Sequence, residues 1–257
     1  MRQSPNIKPH DATRIRYRIR FAKLDLLRWI SHRDLARLWE RLTRRAELPL
    51  SMTEGFHPKP RIAFASALAL GVESHDEVLE LELSKELTVD ELQQRLVADG
   101  QPGLSIIDVT RLDDGSPKAQ LMAADYAVTL PDDFDETQRA PLRGAIEVLL
   151  QQETITVERK KKPLVAHVAS HIPFLELHEK HLWARLFVGD GASLKITDVM
   201  QCIGIESWPQ RGSQVSRTRV WLRDETPSSH SDIPVSIGDT EPLSRRTSHT
   251  FESEDLS

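Results

Sequence analysis

The chain has a single cysteine, Cys202, among 257 residues. One thiol makes no intrachain disulfide, and alone it cannot hold a thiolate-ligated iron-sulfur cluster. Aromatic residues are only 5% of the chain and charged residues 28%, so the core must be mainly aliphatic under a densely charged surface. No apolar run approaches the ~20 residues of a membrane-spanning helix, and the polar N-terminus lacks the apolar segment of a secretion signal. A soluble, cytoplasmic protein without membrane contact is the expectation. The length allows one large domain or two small ones, each able to bury a core.

What the sequence does have is segregated charge. The net charge is −5, yet residues Met1 to Arg61 carry 15 Lys+Arg against 6 Asp+Glu, and the remainder carries 19 against 33. A basic segment inside an acidic protein points to a local anionic partner such as RNA, whereas a coat of general nucleic-acid affinity would make the whole chain basic.

Periodicity supplies the elements. Arg14, Arg16, Arg18 and Arg20 alternate with Ile15, Tyr17, Ile19 and Phe21, which predicts a strand with one face in the core. Ser31 is a helix N-cap with Asp34 three residues on, and Leu35, Leu38, Trp39, Leu42 and Ala46 follow at helical spacing toward an end near Glu47. The stretch from Glu54 to Pro60 has loop chemistry; strands are then expected within Ile62 to Leu70, from Val78 to Leu83 and from Leu104 to Leu112, with a turn over Gly71 to Asp76. A capping box at Thr88 and Glu91 starts a helix before the last of these. The order is βαββαβ.

After the linker-like Asp113 to Lys118 the order recurs. Strands are expected at Ala124 to Leu130, Thr154 to Arg159, Ile172 to Leu177, Leu182 to Val188 and Arg217 to Leu222, with helices near Glu136 to Gln152 and Ile196 to Cys202. The fold class is therefore α+β, with two consecutive ferredoxin-like halves at 13–112 and 122–223. A polar stretch at 1–12 and a tail at 224–257 are expected to be disordered.

The run Ser31-His32-Arg33-Asp34-Leu35 spells part of a kinase catalytic loop, but the magnesium-binding Asn that should follow its Asp by five residues is Trp39, and no Asp-Phe-Gly occurs. Asp34 is better read as a carboxylate in the first turn of a helix. On that helix Arg33, Arg37, Arg41, Arg44 and Arg45 could track a phosphate backbone, although a solvated face would look the same. Arg16, Arg18 and Arg20 are expected instead in cross-strand ion pairs with Glu80 and Glu82.

Histidines raise two further readings. His32 and His57 flank the basic helix and could meet near Glu54, the arrangement a metal-independent RNA endonuclease would need for general acid-base work. His167, His171, His178 and His181 have spacings that can suit zinc, but Pro173 interrupts them and no cysteine completes a site, so no metal is expected. Lys160, Lys161 and Lys162 read as a solvated strand end, with RNA contact as the minor reading, and Cys202 as a small core residue. Glu54, Gly55, Phe56, His57 and Lys59 read as a partner or substrate docking loop.

The region from Ser31 to Ser74 resembles the N-terminal part of the bacterial radical SAM-linked protein family. The likeness rests on Ser31-His32, Asp34-Leu35, the Arg-rich helix, Leu48-Pro49-Leu50, Glu54-Gly55-Phe56, Pro58, Pro60 and Leu70-Gly71-Val72-Glu73-Ser74, and it is specific over about residues 14–112. Arg33, His57 and Lys59 stand where that pattern has Leu, Asn and His. The resemblance implies a partner of a radical SAM enzyme, working on RNA or ribosomes, with tRNA or rRNA as the RNA in question. It also implies that S-adenosylmethionine and an iron-sulfur cluster belong to the partner enzyme, with no cofactor on this chain. The function expected is a non-catalytic adaptor or RNA-binding accessory; the alternative is the endonuclease using His32 and His57.

Overall fold

The computed structural model describes residues 14–159, 162–189 and 193–227. The polar stretch 1–12, Lys160, Lys161 and all but 224–227 of the tail lie outside the described residues.

The first half runs β1 (Ile15–Lys23), α1 (His32–Arg45), β2 (Ile62–Phe64), β3 (Glu73–Leu83), α2 (Val89–Ala98) and β4 (Leu104–Arg111). The second runs β5 (Leu121–Thr129), α3 (Glu136–Gln151), β6 (Thr154–Val157), β7 (Leu164–His167), α4 (Val168–His171), β8 (Phe174–Leu177), β9 (His181–Phe187), α5 (Ile196–Cys202) and β10 (Val215–Leu222). Strands pair in the order β4-β1-β3-β10-β5-β9-β8, with β2 also on β3. Split at the β3–β10 junction, the order reads β4-β1-β3-β2 and then β10-β5-β9-β8, the antiparallel ferredoxin-like arrangement twice over. The two halves fuse because β10 lies parallel to the start of β3, through Ser216 opposite Glu73 and Arg217 opposite Ser74.

Both halves repeat the same strand order in the same direction. Right-handed crossovers therefore put α1, α2, α3 and α5 on one side of the sheet. Beneath α1 and α2, Tyr17, Ile19 and Phe21 meet Leu35, Trp39, Leu42, Leu79 and Leu81; Phe21 and Trp39 stack edge-on at 5.0 Å. Beneath α3 and α5, Leu142, Ile146 and Leu149 meet Leu182, Ala184, Ile196 and Val199. Each such buried aliphatic or aromatic side chain contributes about 1.5–3 kcal/mol. Tyr17 adds a polar tie: its hydroxyl donates to the Leu87 carbonyl at 2.5 Å and accepts from the Leu87 N–H at 3.1 Å. Tyr17→Phe strands both backbone groups in the core and should cost about 1–3 kcal/mol, read as a lower urea midpoint with an unchanged slope.

The helix-free side carries the ion pairs that the alternation of β1 predicted, in a modified pattern. Arg16 and Arg18 both bind Glu80, at 2.6 and 3.1 Å, while Arg20 binds Asp76 at 2.6 Å and also Glu225. Glu82 is held by Arg61 instead. Asp224 and Glu225, expected at the start of a disordered tail, are anchored by Arg18 and Arg20.

Three expectations need correction. The turn expected over Gly71 to Asp76 is largely strand, since β3 begins at Glu73. Its first residues are charged yet buried, because Glu73 pairs with Arg28, Asp76 with Arg20 and Glu77 with Arg217. A hydrophobicity pattern cannot see partners supplied by distant strands. The strand expected at Thr154 to Arg159 does form as β6, but it pairs with β7 in a separate two-stranded sheet. Ile155 and Val157 still face the second core; alternation fixes a face, not a neighbour. Cys202 is exposed at the end of α5 rather than part of the core.

Candidate nucleic-acid interface

Helix α1 starts as its sequence dictates. Ser31 Oγ accepts from the Asp34 N–H at 3.2 Å and donates to the Asp34 carboxylate at 2.7 Å. That hydroxyl, with Arg37 adding to it, holds the Asp34 carboxyl below the usual carboxylate range. Asp34 thus sits in the first helical turn as the partner of the capping hydroxyl. The helix ends at Arg45, where Glu47 takes a left-handed φ of 51°.

Arg33, Arg37, Arg41 and Arg44 all point to solvent. They sit within about 80° of one another around the helix and span roughly 16 Å along it. Arg37 makes one loose, exposed contact with Asp34 at 3.4 Å, and an exposed pair of that kind holds little energy. Arg33, Arg41 and Arg44 have no ion-pair partner among the described residues. Arg45 differs: its Nε donates to Asp99 at 2.6 Å and a second nitrogen grips the same carboxylate. This bond holds the Asp99 carboxyl below its ordinary range. Arg45 therefore joins α1 to the end of α2 and leaves the stripe.

The loop following α1 is a narrow hairpin. Met52 bridges Pro60, the Thr53 N–H donates to the Lys59 carbonyl, and the Lys59 N–H donates to Thr53 Oγ1. Gly55, at φ 115°, makes the turn that other residues resist. Phe56 at the tip is 101% exposed, and Glu54, His57 and Lys59 are exposed with it. Glu54 accepts from Arg14 at 3.0 Å, which ties the loop to the start of β1.

His32 lies elsewhere. Its ring rests edge-on against Phe64 at 5.1 Å. Phe64 is level with Leu79, and Leu79 with Ile19. Arg14 and Ile19 are five residues apart, roughly 16 Å of strand. His32 thus lies level with the middle of β1 while the hairpin is tied to its start, and no hydrogen bond or ring contact joins His32 to His57 among the described residues. His32, which capping did not require, has a packing role on Phe64.

One exposed aromatic was not foreseen. A 3-10 helix at Asp25–Trp29 leaves Trp29 58% exposed just before the Ser31 cap. Gly71 lies against its ring: an added Cβ would stand 3.1 Å from Trp29, and Gly71 has φ 82°. The basic stripe therefore runs between exposed Trp29 at one end of α1 and the Phe56 hairpin beyond the other. Sequence alone gives no signal for Trp29, since a tryptophan at such a position more often enters a core.

The second-half histidines fall in two pairs, His167 with His171 and His178 with His181. His171 Nδ1 bonds the His167 carbonyl, His178 approaches Glu176, and the His181 ring packs on Trp183. Among the described residues no three His, Cys, Asp or Glu side chains gather as a metal site. No helix among the described residues is long and apolar enough to cross a membrane.

A search of curated proteins returned no match to the chain. One chain of the solved "Crystal Structure of a Cbf5-Nop10-Gar1 Complex" is similar at 12% identity with a TM-score of 0.42, over 84% of this chain and 53% of that one. The present chain thus spans about half the length of that one, and a likeness of this degree carries no functional argument. A family profile matches residues 16–194, which includes β1, α1, the hairpin and most of the second half. The chain belongs to the bacterial family described as "Uncharacterized protein conserved in bacteria (DUF2344)".

Proposed function

We propose that the protein is a non-catalytic RNA-binding accessory, in the cytoplasm, that works with a radical SAM enzyme in RNA modification or ribosome-related processing. The observation that carries the RNA part is the row of Arg33, Arg37, Arg41 and Arg44, exposed on one helix face and free of strong ion pairs. Guanidinium groups so spaced suit the phosphates of a tRNA or rRNA segment, which bind through counterion release. Exposed Trp29 and Phe56 at the ends of the row suit stacking on unpaired bases. The radical SAM part rests on the sequence resemblance; the partner would carry S-adenosylmethionine and the iron-sulfur cluster. Within this reading the hairpin from Glu54 to Lys59 docks the partner or substrate.

The endonuclease alternative has no observation in its favour, because no hydrogen bond or ring contact joins His32 to His57 among the described residues. The test is fluorescence anisotropy of labelled tRNA and rRNA fragments with the intact chain across a salt series. Affinity that weakens linearly with log salt is the expected result. Binding absent at low salt removes the RNA part. Co-purification of a radical SAM enzyme with the tagged chain tests the other part, and it is lost if only unrelated proteins are recovered.

A further inference from the structure

The tandem arrangement leaves a gap. α1 and α2 roof the first half and α3 and α5 the second, but among the described residues no helix lies over the seam between β3 and β10. There the chain from Ala65 to Val72 crosses instead, and beneath it is a cavity of about 510 Å³. Its size is that of pockets which hold small organic ligands.

The lining divides by chemistry. Ala65, Ala67 and Ala69 supply small apolar lining, and Leu121, Leu186 and Ile196 larger apolar lining. Arg217 and Tyr126 also line it, and Arg217 donates to Ser66 Oγ at 3.0 Å while holding buried Glu77 at 2.8 Å. Lys195 and Arg223, both exposed, also line it, and neither side chain has an ion-pair partner among the described residues. The described lining thus has three cations and no carboxylate. Behind it the buried charges do not balance: Lys23 and Arg217 share Glu77. Burial pushes the Lys23 ammonium below its usual range despite the pull of Glu77.

From this we propose that the seam cavity binds a small organic anion, its apolar or aromatic body against the alanine and leucine walls and its phosphate-like group toward Arg217, Lys195 and Arg223. An apolar chamber with cations in its lining favours a ligand that has both parts over either part alone. The site is separate from α1 and does not depend on the RNA reading.

Naphthyl phosphate has both parts and serves as the probe, with naphthol and inorganic phosphate as half-ligands, each titrated calorimetrically into the full chain. Naphthyl phosphate should bind at one site, with each half-ligand at least about tenfold weaker, the scale of one lost charge-assisted contact or apolar body. Lys195→Ala with Arg223→Ala removes only exposed cations and should weaken the probe about tenfold. Ala67→Trp fills the mouth from an exposed loop position and should do the same. Both variants should keep the parent's thermal midpoint, and the variant lacking the α1 arginines should keep probe binding. No measurable probe binding, naphthol binding as tightly as its phosphate, or affinity unchanged in both variants would overturn the proposal.

Discussion

Arg217→Met should destabilise the protein by about 3–5 kcal/mol, the usual cost of leaving one partner of a buried ion pair without the other. Arg217 and Glu77 are each 2% exposed, and two guanidinium nitrogens meet one carboxylate oxygen. The pair lies where β10 meets β3, a junction of only two residue pairs. Removing the guanidinium leaves Glu77 buried with Lys23 as its remaining cation. Against a typical total of about 5–15 kcal/mol, such a loss is severe. Urea unfolding followed by circular dichroism measures it. The double variant Arg217→Met, Glu77→Met should recover only part of the loss, because an apolar pair can replace a buried ion pair at little cost but buried Lys23 then loses its carboxylate. A single variant as stable as the parent would mean that the seam does not depend on this pair.

The second large effect concerns RNA. For four phosphate contacts on single-stranded RNA the slope of log affinity against log salt is roughly −2.8, so affinity should fall roughly fifty-fold between about 50 and 200 mM salt. Converting Arg33, Arg37, Arg41 and Arg44 to Ala should nearly abolish that dependence. Alanine is the best helix former, so α1 should persist. Arg45→Ala is the internal control. Its side chain is engaged by Asp99, and its loss should leave the slope unchanged. Equal slopes for the parent and the fourfold variant would exclude α1 as the phosphate-binding element.

The sites differ in how far they could be read. Stripe spacing is a property of one helix, and the positions of Arg33, Arg37, Arg41 and Arg44 follow from 3.6 residues per turn. The engagement of Arg45 is not local, since Asp99 lies 54 residues away. Nor is the separation of His32 from His57, which depends on strand register between β1, β3 and β2. The seam cavity had no sequence signal: its walls are ordinary Ala and Leu, and its cations come from β10, from the turn after it and from the approach to α5.

By itself the amino-acid sequence determined the α+β class, the two ferredoxin-like repeats, the face of β1 that enters the core and the cap and stripe of α1. Alternation, helical period and capping act over a few residues, so a linear reading captures them. Tertiary structure decided that β10 joins β3 to make one sheet, that β6 and β7 leave it, that Glu73, Asp76 and Glu77 are buried strand residues and that a cavity remains at the seam. Those outcomes depend on pairing between residues far apart in the chain, such as Val220 with Asp76, 144 residues away, and charged side chains enter a core only when the fold brings their partners to them.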